Sequence, residues 1–162
     1  MPDMLVKLYD LPATNADAER LAALGVAVRR ALAPEKWIVT QWVRENFSAY
    51  WTSECEVAFG RAPVACFIAV QDNRVLGFAC YDATMKGFFG PTGVAPAERS
   101  RGVGRALLVA ALQAMQEEGY GYAIIGAVGP AEFYAKAVGG TLIEGSTPGI
   151  YRGLIRPPPT TP

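Results

Sequence analysis

A cluster of arginine and glycine residues lies in the segment 99–104, which reads Arg-Ser-Arg-Gly-Val-Gly. It follows an apolar stretch and precedes one with helical periodicity. The first N–H groups of a helix favour an anion, and glycine lets a phosphate approach the backbone. Arginine adds charge-assisted hydrogen bonds to phosphate oxygens. The segment therefore predicts a pyrophosphate site, whose candidate ligands are Arg99, Arg101, Gly102, Val103, Gly104 and Arg105.

Two other nucleotide-binding motifs do not fit this segment. A dinucleotide-binding fingerprint needs a third glycine, and Leu107 stands at that position. Its strand also runs almost directly into the glycines, whereas a longer connection separates Val94 from Gly102. A Walker phosphate loop requires Gly-Lys-Ser/Thr, which is missing here. The remaining alternative is a solvated arginine loop that caps an ordinary helix.

The chain of 162 residues contains no histidine. This excludes Ser-His-Asp and Cys-His nucleophiles, most zinc enzymes and an imidazole base. A proton acceptor would therefore be a carboxylate, a phenol, an unusual lysine or water. The three cysteines have no zinc-site spacing, so no metal is expected, and we interpret Cys66 and Cys80 as reduced core residues on neighbouring strands.

Composition predicts one globular domain. The chain is 51% hydrophobic and 19% charged, and its 15 basic and 15 acidic side chains cancel, so nothing indicates a nucleic-acid partner. No apolar run reaches the ~18 residues of a membrane span, and no secretory signal is visible. We therefore expect a cytoplasmic protein with no membrane partner. Residues 1–155 form the predicted domain, and residues 156–162 a flexible proline-rich tail.

Hydrophobic patterning predicts a single α/β domain with the element order βααβββαβαββ and a mixed, mostly antiparallel sheet. The first helix is capped by Thr14 and Asp17, and the second starts at Pro34 and breaks near residues 46–48. Leu21, Leu24, Val28 and Leu32 form the apolar face of the first helix. The predicted strands are residues 4–9, 64–70, 75–82, 87–94, 122–128, 141–144 and 149–155, and the later helices are residues 102–118 and 131–138.

The strand 87–94 contains Gly90, Pro91 and Gly93. Proline cannot donate to a strand ladder, and glycine has no side chain to pack in it. A bulge or a local separation from the neighbouring strand is therefore expected here.

The element order and two local motifs resemble the GNAT N-acetyltransferases. The acyl-CoA signature of that family is Gln/Arg-x-x-Gly-x-Gly/Ala, and residues 99–104 have this form. Residues 133–139, Phe-Tyr-Ala-Lys-Ala-Val-Gly, are similar to the family's Phe-Tyr-x-Lys-x-Gly-Phe segment, with one extra residue before the glycine. The resemblance covers residues 60–155 well and the first two helices only by their order. It implies a single GNAT-like domain in which the strands 87–94 and 122–128 splay apart.

The resemblance also implies roles for particular residues. Backbone amides of residues 101–105 would hold the CoA pyrophosphate, and the Val94 amide would bind the thioester carbonyl and its oxyanion. Tyr134 matches the position that protonates the departing CoA thiolate, since a phenol of pKa ~10 is protonated at neutral pH and a thiolate of pKa about 8.5 accepts a proton. Lys136 would contact the CoA 3′-phosphate. The alternatives are a packing aromatic at Tyr134 and a solvated charge at Lys136.

The implied activity is an acyl-CoA-dependent N-acyltransferase that uses acetyl-CoA as co-substrate. A primary amine of a small molecule or peptide would attack the thioester directly in a ternary complex. The strand 87–94 holds no carboxylate to act as base, which leaves a non-catalytic CoA-binding sensor or partner subunit as the alternative. Candidate bases elsewhere are Glu45, Glu54, Glu56 and Asp82, and a water chain is equally compatible.

The region of the second helix is rich in aromatic residues. They either pack this helix onto the sheet or line an acceptor pocket. A homodimer is compatible with the predicted sheet, because edge strands need cover. The aromatic residues are Trp37, Trp42, Phe47, Tyr50 and Trp51.

Overall fold

The computed structural model describes residues 1–158 and shows a seven-stranded sheet with five α-helices. The strands are β1 (Met4–Lys7), β2 (Ala27–Arg30), β3 (Cys66–Gln71), β4 (Arg74–Tyr81), β5 (Phe88–Val94), β6 (Tyr122–Ile125) and β7 (Thr141–Leu142). The helices are α1 (Ala16–Ala23), α2 (Lys36–Asn46), α3 (Ala49–Phe59), α4 (Val103–Glu117) and α5 (Ala131–Val138). None of the helices in this range is both long and apolar enough to span a membrane.

The sheet order is β2-β3-β4-β5-β6-β1-β7. All neighbouring strands are antiparallel except β5 and β6, which are parallel. The single α/β domain and the mixed, mostly antiparallel sheet expected from the sequence are therefore confirmed. The edges of the sheet are β2 and β7.

Helix α4 supplies much of the core and packs against β3, β4 and β5. Leu107, Leu108, Leu112 and Met115 on this helix are fully buried. Gly102 caps the helix with φ of 84°, a left-handed conformation that glycine adopts without steric cost. Apolar residues that recur at helical spacing therefore hold α4 against the sheet. The first turn of this helix lies beside the end of β5.

Strand β5 is irregular at the predicted position. Thr92 pairs with Ala79 and Phe89 pairs with Tyr81, so Gly90 and Pro91 of β5 lie opposite one residue of β4. This arrangement is a β-bulge. The parallel pairing of β5 with β6 covers only Phe88–Ile124 and Phe89–Ile125. Beyond these pairs the strands separate, and the gap between them opens toward their carboxyl ends.

The prediction of one long first helix was wrong. Helix α1 ends at Ala23, and Gly25 follows with φ of 82°, which turns the chain into β2. Val28 therefore lies in a strand paired with Ala69 of β3. The N-cap is Asn15, whose side chain accepts from the Ala18 amide, rather than Thr14. The spacing of the apolar residues matched a helix only by coincidence. A strand such as β2 also needs apolar side chains on the face that it buries.

The predicted last strand was also wrong. Residues 149–151 form a single 3-10 turn, and the chain continues without regular structure to residue 158. The last strand of the sheet is therefore β7, which pairs with β1, and β1 pairs in turn with β6. The last four residues of the predicted tail, 159–162, lie outside the described residues.

The three cysteines meet in the core between α3 and the sheet. Cys66 and Cys80 are register partners on β3 and β4, as expected, and Cys55 reaches them from α3. All three are free and buried, with Sγ atoms within 4.8 Å of one another. Burial raises the pKa of the Cys80 thiol well above its usual value. These thiols are therefore shielded from reagents in solution.

Candidate active site

A cavity of ≈ 970 Å³ runs along β5, from the first turn of α4 to the side of α3. One end is formed by the loop before α4, and the other by α3, the β4–β5 turn and the segment after β7. The cavity includes the gap that opens between β5 and β6. Residues that line it include Phe47, Trp51, Glu54, Thr84, Phe89, Gly93, Val94, Arg99, Gly104, Gly126, Tyr134, Ile150, Tyr151 and Leu154.

The first turn of α4 offers unpaired amides at one end of the cavity. The amide of Ala106 donates to the Gly102 carbonyl, so the amides of Val103, Gly104 and Arg105 precede the first helical hydrogen bond. A Cβ placed on Gly104 would lie 3.5 Å from Val94 Cγ2, which shows how closely this turn approaches β5. Free amides and the helix dipole together make this turn suitable for an anion.

The three predicted arginines differ in their surroundings. Arg101 is paired with Glu98, and Arg105 is paired with Asp17 of α1 at 3.0 Å. Arg20, also on α1, donates to the Arg101 carbonyl at 2.6 Å. The remaining arginine lines the cavity and forms no ion pair with any residue in the range 1–158. That residue is Arg99.

The Val94 amide faces the gap between β5 and β6. The amide of the next residue, Ala95, donates to Leu76 of β4 at 2.9 Å. Successive amides of a strand alternate in direction, so the N–H of Val94 points away from β4. Because β6 has already separated at this point, no strand within residues 1–158 covers this amide. It can donate to an acceptor that enters the gap.

Tyr134 lines the same cavity from α5. Its ring contacts Phe89 and Phe133 edge to face, with centroids 6.4 Å and 5.0 Å away. The residue is 7% exposed, and burial raises the pKa of its hydroxyl. The phenol is therefore protonated at neutral pH and faces a space that a ligand can enter.

Lys136 is not part of this cavity. It pairs with Glu132 at 2.8 Å on the exposed side of α5, where the side chains are 77% and 81% exposed. A solvent-facing ion pair of this kind contributes little to stability. Among the predicted residues, the structure brings Val94, Arg99, Gly104 and Tyr134 together in one cavity. Arg101, Gly102, Val103 and Arg105 lie in the adjoining loop and first helical turn.

The aromatic residues of α2 and α3 serve both roles considered from the sequence. Trp42 contacts Phe47 and Phe78 and helps pack the helices onto the sheet. Phe47, Tyr50 and Trp51 line the cavity, whereas Trp37 is 73% exposed at the surface. The Phe47 ring lies directly over Gly93 of β5, where a Cβ would overlap it. Glycine at this position therefore lets an aromatic wall approach the strand.

One of the four candidate carboxylates lines the cavity, and it belongs to Glu54. Glu45 and Glu56 lie on exposed faces of their helices. Asp82 is buried and accepts hydrogen bonds from the Gly87 amide and the Tyr120 hydroxyl, so it shapes the β4–β5 turn. Burial raises the pKa of Glu54, while a hydrogen bond donated by Thr84 opposes this shift.

The acetyltransferase (GNAT) family model matches residues 34–139, which is more than half of the sequence. The chain belongs to this family. Acetyl-CoA is the acyl donor of GNAT acetyltransferases, and the matched range contains the segment 99–105, β5 and Tyr134. No curated protein gives a significant match.

Solved structures share the GNAT fold. The chain is similar to the glucosamine N-acetyltransferase region of a fungal multi-domain GH3 β-N-acetylglucosaminidase, with a TM-score of 0.71 and 17% identity over 88% of this chain and 19% of that protein. It is also similar to a GCN5-related N-acetyltransferase from Sphaerobacter thermophilus, with a TM-score of 0.68 and 20% identity over 88% and 48% of the two chains. The chain thus spans less than half the length of either protein. At this identity, the likeness shows the fold.

Two parts of this GNAT cavity had no signal in the sequence. Tyr151 stands in a segment predicted as a strand, yet its hydroxyl lies against Gly126 in the gap between β5 and β6. Thr84 stands in a turn and bonds Glu54 across a separation of 30 residues. Both contacts join residues that are far apart in the sequence, so local spacing and periodicity could not predict them.

Proposed function

We propose that the protein transfers the acetyl group of acetyl-CoA to a primary amine by direct attack in a ternary complex. The observation that supports this most directly is that Val94, Arg99, Gly104 and Tyr134 line one continuous cavity. This cavity joins an anion-binding helical turn to an unpaired strand amide and a protonated phenol. It has space beyond them for a second substrate, on the side of α3.

In this proposal, the donor lies with its pyrophosphate against the first turn of α4. The amides of Val103, Gly104 and Arg105 donate to phosphate oxygens, and Arg99 supplies a free guanidinium. The Arg101 carbonyl accepts from Arg20 of α1, and Gly102 leaves the space that Arg20 and Asp17 of α1 occupy beside the loop. The pantetheine chain then enters the gap between β5 and β6. Contact of Lys136 with the 3′-phosphate remains a prediction.

The chemistry follows from two groups beside the gap. A neutral amine attacks the thioester carbon, a C–N bond forms, and negative charge on the carbonyl oxygen is stabilised by the Val94 N–H. The C–S bond then breaks, and the leaving thiolate takes the hydroxyl proton of Tyr134. The amine nitrogen gives its extra proton to solvent, and Tyr134 is reprotonated from solvent. The products are an amide and free CoA.

Release of free CoA thiol from acetyl-CoA in the presence of primary amines tests this function. The protein's own thiols are buried, so they add little to the early signal. We expect amine-dependent release, together with a mass gain on the amine that matches one acetyl group. Tyr134→Phe should lower kcat by about 100-fold, because it removes a general acid. Because burial keeps the phenol protonated, this loss should be uniform across neutral pH.

The same assay separates the alternative function. A folded protein that binds acetyl-CoA but never releases thiol with any amine would be a CoA-binding sensor or partner subunit. Unchanged turnover of Tyr134→Phe would exclude this residue as the general acid without affecting the proposed activity.

A further inference from the structure

The end of the cavity beside α3 has one carboxylate among apolar walls. Glu54 follows Tyr50 by four residues and Trp51 by three on α3, so each aromatic side chain is a neighbour of the carboxylate on the helix surface, and all three line the cavity. The other walls of this end come from Met85 in the β4–β5 turn and from two apolar residues after β7, which are Ile150 and Leu154.

The segment after β7 covers this end as a strap. The Tyr50 hydroxyl donates to the Ile155 carbonyl at 2.8 Å, which ties the strap to α3. Tyr151 points inward from the strap, and a Cβ on Gly126 would lie 2.6 Å from its hydroxyl. Gly126 directly follows the last residue of β6 that pairs with β5. The Tyr151 hydroxyl therefore lies where the two strands begin to separate.

Contacts link Glu54 to this same point. Its carboxylate accepts from the Thr84 hydroxyl, and Glu54 and Thr84 line the same cavity as Tyr151. Burial raises the pKa of the Tyr151 hydroxyl, and the carboxylates of Glu54 and Asp3 raise it further. The carboxylate thus stands beside the apex of the gap into which an acyl group would enter. Glu54 is the only carboxylate residue that lines the cavity within residues 1–158, and the lining there also includes Arg99, its only arginine or lysine, and the N-terminal residue Met1. Arg99 lies at the opposite end, beside the phosphate-binding turn.

We infer that the acceptor is a primary amine whose only charge is its ammonium group, carried on an apolar or aromatic stem, and that Glu54 binds this ammonium and takes its proton. This inference rests on the proposed acetyl transfer. The N–H proton passes to the Glu54 carboxylate, the free amine attacks the thioester, and Glu54 later releases the proton to solvent. The Thr84 hydroxyl bond holds the carboxylate in place without neutralising it.

The charges of the cavity also predict what is rejected. An amine with its own carboxylate would bring a second anion beside Glu54, with Arg99 out of reach at the phosphate end. Burying an unpaired carboxylate among apolar side chains is costly. Free amino acids should therefore be poor acceptors, and the matching amines without a carboxylate should be good ones.

A matched pair of acceptors tests this inference on the unmodified protein. 2-Phenylethylamine and phenylalanine differ only by a carboxylate, and we expect kcat/KM for the first to exceed that for the second by at least about 100-fold, because the unpaired carboxylate must be desolvated. Equal use of the two amines would overturn the inference, as would preference for phenylalanine.

Glu54→Gln tests the role of the carboxylate. We expect kcat/KM for 2-phenylethylamine to fall by about 100-fold, since a general base is lost, while the Kd of acetyl-CoA stays within about twofold because Glu54 does not contact the donor end. Glu56→Gln is the matched control, since it makes the same change on the exposed face of α3, and it should leave both constants unchanged.

Failure of the inference and failure of the proposed function give different results. Full activity of Glu54→Gln would overturn the inference and leave acetyl transfer standing. Binding of acetyl-CoA without acetylation of either amine would also overturn the inference alone. Absence of acetyl-CoA binding by the folded protein would refute the proposed function and the inference with it.

Discussion

Arg99 has a different electrostatic position from the other arginines of its loop. Arg101 and Arg105 each face a carboxylate, whereas Arg99 lines the cavity and forms no ion pair within residues 1–158. An anion at the first turn of α4 would therefore meet one uncompensated guanidinium. In the sequence the three arginines are equivalent candidates. Only the structure shows which of them is not neutralised by a carboxylate and can meet a bound anion.

Arg99→Ala and Arg101→Ala provide a comparison at the residue scale. A charge-assisted hydrogen bond contributes about 1.5–3 kcal/mol, so loss of Arg99 should raise the Kd of acetyl-CoA by roughly 10- to 100-fold. Arg101→Ala should raise it by less than about threefold, because this side chain is already paired with Glu98. Titration calorimetry with acetyl-CoA measures both constants. Equal effects of the two substitutions would mean that Arg99 has no special role.

Glu54 shows the limit of residue-scale prediction. It was one of four candidate bases, and nothing in the sequence set it apart from the other three. What distinguishes it is its half-buried place in the cavity, where Thr84 bonds to it and Tyr151 shares the lining, both from distant parts of the chain. No local pattern reports such a contact, so the choice among the four carboxylates had to come from the structure.

At the scale of elements, the close approach of Phe47 to β5 shapes one wall of the cavity. Phe47 connects α2 and α3 and contacts Trp42, Trp51 and Phe78. Its ring occupies the space that a side chain at Gly93 would need. The packing of α2 and α3 against β5, next to the gap between β5 and β6, therefore depends on the missing side chain at Gly93.

Gly93→Ala tests this dependence. The added methyl group must displace the Phe47 ring, and overpacking of this kind costs about 1–3 kcal/mol of unfolding free energy. Gly121→Ala is the control, because a Cβ at that position has nothing within 4 Å, and we expect it to change stability by less than about 0.5 kcal/mol. Denaturant unfolding measures both. Stability of Gly93→Ala equal to that of the control would show that the ring moves away freely.

The elements around the cavity differed in how well the sequence predicted them. Helices α4 and α5 and the β3–β4 hairpin have long periodic or alternating patterns with clear end signals, and the structure confirms them. The bulge in β5 followed from Gly90 and Pro91. Strand β2 was missed because Val28 also fits the helical spacing that begins at Leu21. In such short segments, pairing with a distant strand decides the conformation.

At the scale of the whole molecule, the N-terminal strand determines how the gap is held open. Strand β6 shares only the pairs of Phe88 and Phe89 with β5, whereas all four residues of β1 pair with it on the other side. The sheet therefore fixes β6 mainly through β1 and leaves its carboxyl end free to diverge from β5. This placement joins the N-terminal strand to a strand near the other end of the chain, since β1 also pairs with β7, and no sequence pattern predicted this pairing.

Calorimetric titration of the protein with acetyl-CoA, with NAD and ATP as control ligands, tests the central claim most directly. We predict saturable binding of one acetyl-CoA per chain in the micromolar range and no comparable binding of NAD or ATP, because in the proposed function the gap between β5 and β6 binds the pantetheine chain, which the controls lack. A folded protein that binds neither acetyl-CoA nor CoA would contradict the account, and the arginine loop would then be only the cap of α4.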